Sequence, residues 1–180
     1  MITAQQVHQE GQFVLFRLAE ESYAIPISTV QEIILLDRAT RLPEMPDFVE
    51  GIIDLRGRII PVINLRRRFG LPPESTQCAN RTLVAEIGEL EVGLLVDDVT
   101  GVVRLSADSI QRPPDMLSVR ASAVDGVACV AGRLVLLLNP HLVLMPREQE
   151  LLQARALTLS GTEERLLPPD IAPSHGDWER

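Results

Sequence analysis

The segment from Gly51 to Asn64 returns seventy-five positions later as Gly126 to Asn139. Gly51, Gly57-Arg58 and Asn64 recur as Gly126, Gly132-Arg133 and Asn139, with apolar positions answering apolar positions between them. The repeat begins further upstream at a slightly different offset. Phe13–Leu18 lies against Thr82–Ile87, and Tyr23–Val30 against Val92–Val99. The shift implies a few extra residues in the second copy, in the loop holding Pro113 and Pro114. Positions shared by both copies serve packing that is needed twice. Positions that differ are open to a partner, and the leading difference is Arg56, which faces Ala131.

Each copy reads as about five short strands. Residues from Gln12 to Ile27 alternate as two strands around Ala19-Glu20-Glu21-Ser22. Ser28 stands three residues before Gln31 and Asp97 three before Thr100, a capping-box spacing that predicts a short helical turn in each copy. Third strands follow at Ile33–Leu36 and Val102–Leu105, and Pro43 and Pro46 punctuate the first connection to the repeated hairpin. Such strand and turn spacing predicts a mainly β fold of two small five-stranded antiparallel barrels. The first spans about 12–70, with strand exchange open, and the second about 80–146. A last helix is expected over Glu148–Leu157. The polar, proline-containing stretch to Arg180 reads as a disordered tail, so 147–180 stands apart from the domain.

Composition narrows function. Hydrophobic residues make up 46% of the 180-residue chain but aromatic ones only 3%, so the core rests on Val, Ile and Leu, which favour strands. A net charge of -8 argues against nonspecific binding to nucleic acid or anionic lipid. There is no lysine, which removes phosphate-loop, kinase-type and Schiff-base chemistry together. Cys78 and Cys129 suggest reduced thiols, and no apolar run reaches the roughly 18 residues of a membrane span. With no leader apparent, the expected location is cytoplasmic, without membrane insertion.

Candidate chemistry is sparse. His8, His141 and His175 are scattered, and no metal-ligand spacing or cofactor motif appears. Asp97-Asp98 with His141 is the one acid/base set to weigh, against the simpler reading of Asp97 as a helix cap and His141 as a surface or helix-start residue. Arg66-Arg67-Arg68 forms a local basic run, either solvated or a phosphate-sensing patch. Arg56, in a tight turn, suits carboxylate recognition by a partner, or pairs internally with Asp54 or another acid and holds the turn.

Several ordered motifs carry a resemblance across Gln12 to Leu144. They are Val30-Gln31-Glu32-Ile33, Arg41-Leu42-Pro43, Phe48-Val49-Glu50-Gly51, Leu55-Arg56-Gly57, Ile60-Pro61-Val62-Ile63-Asn64-Leu65 and Val96-Asp97-Asp98-Val99. With them the chain resembles the CheW-type chemotaxis coupling proteins. That resemblance implies a CheW-like domain over 12–146, two barrels around a shared core, and no enzymatic activity or cofactor. It implies an adaptor joining the cytoplasmic tip of methyl-accepting chemoreceptors to the regulatory domain of a CheA-type histidine kinase, recruited to membrane-associated receptor arrays. Glu32 and Arg56 match positions linked to receptor coupling, with Val30 and Ile33 flanking them. Kinase contacts in the family come from apolar barrel ends, and no residue is assigned to them here. Asp54 stands where the family usually has asparagine. The rival readings are a ligand-sensing or enzymatic barrel using Asp97, Asp98 and His141, and a coupling protein of a pilus-motility or surface-sensing array.

Overall fold

In a computed structural model of the chain, which describes residues 10–73, 80–113 and 122–160, the first alternating run forms β1 (Gly11–Leu18) and β2 (Glu21–Pro26). The equivalent run forms β6 (Arg81–Ile87) and β7 (Leu90–Val96). Third strands are β3 (Val30–Leu35) and β8 (Asp98–Leu105). The repeated hairpin is β4 (Val49–Leu55) with β5 (Arg58–Asn64), and again β10 (Val124–Val130) with β11 (Arg133–Leu138). A short β9 (Ile110–Gln111) lies on β10, where the first copy has a single bridge from Thr40 to Ile52. From that bridge to the next strand the first copy uses residues 41–48 and the second uses 112–123, which accounts for four of its extra residues.

The repeats exchange hairpins. One sheet has the order β8-β1-β2-β11-β10-β9 and the other β3-β6-β7-β5-β4, so each is completed by the opposite copy's first hairpin. The registers match across the two sheets. Leu15 lies opposite Gly101 as Val84 lies opposite Glu32, and Ala24 opposite Leu137 as Gly93 opposite Val62. The mainly β expectation holds, but the sheets have six and five strands and are not purely antiparallel, because β2 with β11 and β5 with β7 run parallel. Nor does a ladder close either sheet into a barrel among the described residues. The chain leaving β3 or β8 instead reaches across to the far side of its sheet, at Ile52 or at β10.

Successive strand residues face opposite ways, and here both faces are buried. Val14, Phe16, Leu18, Tyr23 and Ile25 meet Leu83, Ala85, Ile87, Val92 and Leu94 in one core shared by the sheets. Phe13, Ala24, Leu105, Val135 and Leu137 fill a second cluster inside the first sheet, while Ile53, Ile60, Val62, Val84 and Leu95 fill a third inside the other. Three aromatic residues meet in the shared core, where Tyr23 stacks on Phe16 and Phe69 with centroids 5.7 and 6.0 Å apart.

The repeated asparagine has a local cause. Asn64 caps α1 (Leu65–Arg68) by accepting from the Arg67 amide at 3.2 Å, and Asn139 caps the 3-10 turn Pro140–Leu142 by accepting from the His141 amide at 3.0 Å. The capping expected of Ser28 and Asp97 is not observed. Ser28 lies inside a 3-10 turn, Ile27–Thr29, that has no side-chain cap, and Asp97 lies between β7 and β8 with no helix after it. The last helix, α2 (Pro146–Ser160), is longer than Glu148–Leu157. Leu152 anchors it in the shared core. The expected disordered tail, together with His8, Cys78 and His175, lies outside the described residues.

Candidate functional site

Arg56 and Gly57 make the β4–β5 turn with φ of 55° and 82°, and Ala131 and Gly132 make its counterpart with 50° and 76°. An arginine in this left-handed conformation costs about 1–2 kcal/mol. Asp54 holds the turn by accepting from the Gly57 amide at 2.7 Å, so the internal acid that pairs with Arg56 is a different one. Arg56 pairs instead with Glu32, at 3.1 Å between Nη2 and Oε2. Glu32 also faces Arg58 at 3.6 Å, and Arg58 reaches Glu91 at 2.5 Å. The side chain of Arg56 remains 75% exposed, so the pairing orients the guanidinium without hiding it. Exposed pairs of this kind are worth about 0–1 kcal/mol, too little to explain the cluster as a stabilising device.

A bulge in β3 decides which of its residues share this surface. Val30 lies opposite Ala85 and Glu32 opposite Val84, with Gln31 as the extra residue. Glu32 is thereby placed on the face of Val84, while Val30 and Ile33 fall on the face of Ala85 and Leu83. Val30 packs against the shared core, and Ile33 is exposed. The structure thus joins Glu32 to Arg56, with Val30 and Ile33 on the other side of the same edge strand.

The cluster belongs to one sheet. Register and offset place Gly101 at the position of Glu32, Ala131 at that of Arg56 and Ser22 at that of Glu91, leaving only Arg133 to match Arg58. Arg58 and Glu91 were not singled out from sequence. Comparing the copies residue by residue carries the signal, since Glu91 against Ser22 is as much an unduplicated charge as Arg56 against Ala131.

Of the Arg66-Arg67-Arg68 run only Arg67 is exposed, and all three are paired, so the run is not a free patch. Arg66 is buried against Asp97, with Nε to Oδ1 and Nη2 to Oδ2 both 2.5 Å, and donates to the Pro72 carbonyl at 2.8 Å. Asp97 also accepts from the Ala19 amide at 2.7 Å. Arg67 pairs with Glu50 at 3.1 Å. Arg68 makes a two-pronged pair with Glu148 at 3.0 and 2.8 Å, donates to the Val143 carbonyl at 2.7 Å, and lies 4.4 Å from the centre of the Phe48 ring. Three adjacent arginines therefore tie α1 to the β7–β8 crossing, to β4 and to α2.

Asp97, Asp98 and His141 do not form a catalytic set. Asp97 is engaged by Arg66, and the cleft lined by His141 includes neither aspartate. Among the described residues no group of three or more metal-ligating side chains gathers. Burial pushes the Tyr23 hydroxyl upward, and it donates to Glu21 at 2.7 Å.

The interlocked β scaffold thus presents an exposed charged cluster at one hairpin tip. The family model for the CheW-like domain matches residues 12–147, and the chain belongs to that family. It is similar to the chemotaxis protein CheW of Helicobacter pylori, 35% identical over 133 residues, covering 74% of this chain and 81% of the relative. It is also similar to the chemotaxis protein CheW of Klebsiella aerogenes, 33% identical over 141 residues, covering 78% and 85%. Protein FrzA of Myxococcus xanthus is 28% identical over 129 residues, covering 72% and 81%. Among solved structures, the scaffolding protein TtCheW from Thermoanaerobacter tengcongensis superposes with a TM-score of 0.72 at 34% identity, over 79% of this chain and 97% of that one. No helix among the described residues is long and apolar enough to cross a membrane.

Proposed function

We propose that the chain is a signalling adaptor that couples the cytoplasmic tip of methyl-accepting chemoreceptors to the regulatory domain of a CheA-type histidine kinase, on the cytoplasmic side of membrane-associated receptor arrays. The observation that carries this reading is the Arg56–Glu32 pair, exposed on one copy of a duplicated scaffold whose other copy lacks it. Arg56 offers a planar guanidinium to an acidic or carbonyl-rich helical surface, and Glu32 sets its direction. Exposed Ile33 supplies an apolar contact from the other side of the same edge strand, while Val30 packs against the shared core and supports the strand from behind. Support comes from the family membership and from relatives titled chemotaxis and scaffolding proteins.

The test is co-sedimentation of the purified chain with receptor-containing membranes and a CheA-type kinase. Wild type is expected to pellet with both. Arg56→Ala and Glu32→Ala should each weaken receptor association about tenfold or more, an interface loss of roughly 1.4 kcal/mol. Unchanged receptor binding in both variants removes the two residues from the site, and no binding by wild type removes the function.

A further inference from the structure

The tip of the second hairpin holds two guanidinium groups that no described residue neutralises. Arg17, near the end of β1, lies opposite Ser22 of β2, and Ser22 lies beside Val135 of β11. Arg133 stands two residues before Val135, so the alternation of strand residues puts all four on one face. Both arginines are exposed, and with Ser22 they line a depression of about 480 Å³. Among the described residues neither guanidinium makes an ion pair or a hydrogen bond, whereas Arg56 and Arg58 at the first tip each meet an acid.

The equivalent place in the other sheet shows what such an arginine takes. Arg58 stands where Arg133 does, and it reaches Glu91 at 2.5 Å and Glu32 at 3.6 Å. Ser22 replaces Glu91 and Gly101 replaces Glu32, so Arg133 keeps the position without either acid. Arg17 in turn stands where β6 has Glu86, and the cross-strand pair Glu86–Glu91 of one sheet becomes Arg17–Ser22 in the other. The neighbouring acids are turned to other groups. Glu21 accepts from the Tyr23 hydroxyl at 2.7 Å, Asp98, opposite Arg17 across β8, accepts from the Val99 amide at 3.0 Å, and Glu20 is exposed in the β1–β2 turn.

We propose that this depression binds an acidic side chain of a protein partner, its carboxylate held between Arg17 and Arg133. With neighbouring strands about 5 Å apart and a rise of about 3.3 Å per residue, the two Cα positions are separated by roughly 12 Å, a span that two arginine side chains close from opposite sides of one carboxylate. Glu20 and Glu21 on the rim repel a doubly charged phosphate or a densely anionic surface, as does the net charge of -8, so a single carboxylate is the anion that fits. Leu134, 65% exposed at the same depression, offers an apolar contact that a protein partner can use and a free anion cannot. The site lies on the other sheet from Arg56 and Glu32 and stands independently of the receptor reading.

The probe is N-acetyl-glutamate methylamide, titrated into the full-length chain at low salt and followed through the Nε–H resonances of Arg17 and Arg133, with the glutamine analogue and inorganic phosphate as controls. Both resonances should shift together and saturate with a Kd of about 10 mM, as befits one side chain without its protein. The glutamine analogue should bind at least about fivefold more weakly, and phosphate no more tightly than the glutamate derivative. Arg17→Gln and Arg133→Gln should each weaken the response of the remaining arginine about threefold or more. Ser22→Glu, which restores the acid of the first tip, should move the Arg133 resonance before any probe is added and weaken the response about tenfold, a change of roughly 1.4 kcal/mol. No shift at either arginine, an equal response to glutamine, or undiminished binding by both arginine variants overturns the proposal, and so does full binding by a folded Ser22→Glu protein. Tighter binding of phosphate also overturns it, because the ligand would then be a free anion and not a protein side chain.

Discussion

The Arg66–Asp97 pair makes a quantitative claim about stability. Asp97 is 4% exposed and accepts three hydrogen bonds, two from Arg66 and one from the Ala19 amide, and Arg66 is 9% exposed. Removing one partner strands a buried charge, so Asp97→Leu and Arg66→Met should each cost about 3–5 kcal/mol. The double variant removes both charges. Its residual cost is the Ala19 amide left without its acceptor, about 1–3 kcal/mol, so it should be more stable than either single variant. At about 2–4 °C per kcal/mol for a domain of this size, the singles should lose roughly 6–20 °C in Tm and the double about 2–12 °C. Urea denaturation at fixed pH, with m-values compared across the four proteins, reads this directly. A double variant as damaged as the sum of the singles would falsify the reasoning, and so would singles that cost less than about 1 kcal/mol.

Other sites give sharper single changes. Thr82 is fully buried and its hydroxyl has no hydrogen-bond partner, so Thr82→Val should raise stability by about 1 kcal/mol or more; a lower Tm would show that the hydroxyl is satisfied. At Gly51 an added Cβ would meet the Thr40 carbonyl oxygen at 2.4 Å, with φ at 152°, so Gly51→Ala should cost about 2 kcal/mol or more and break the Thr40–Ile52 bridge, seen as faster amide exchange at both residues. Tyr23 is the one tyrosine, and its hydroxyl pKa is raised by burial. Its contribution to stability is fully present below the unfolded value of about 10 and is lost as pH rises beyond it, so phenolate absorbance should stay silent in the folded protein and appear only together with alkaline unfolding. Phenolate forming near pH 10 while the fold persists would contradict that burial.

Alternation and turn residues made the hairpins legible, and the duplication was plain in Gly51, Gly57, Asn64 and their counterparts. The exchange of hairpins was not. A period of two says which residues share a face, but nothing about which strand lies alongside, and β1 beside β8 joins residues some ninety positions apart. Asp97 misled for a related reason: Ser28 and Asp97 share capping ability, yet the partner that decides Asp97 is Arg66, thirty-one residues away. Three consecutive arginines look solvated in any sequence. Only the placement of α1 between β4, the β7–β8 crossing and α2 gives each of them an internal acid. Arg56 stood out as the unduplicated residue of the repeat and Glu32 through the family motifs, whereas their mutual contact depends on a bulge at Gln31 that local pattern does not announce.

The exchange also explains how a duplicated fold can carry a site in one copy without losing balance. Each sheet is completed by a hairpin from the other repeat, so neither half holds its own core, and the Arg66–Asp97 pair sits where the chain passes from β7 in one sheet to β8 in the other. Packing constraints therefore fall on the strands common to both copies. The hairpin tips and sheet ends are released from those constraints, because they contribute little to the three buried clusters. Both tips take the same left-handed turn, at Arg56 and at Ala131, but in one sheet the tip is surrounded by Glu32, Arg58 and Glu91, where the other sheet has Gly101, Arg133 and Ser22. A rigid interlocked core thus lets one hairpin tip carry a charged surface that its counterpart lacks.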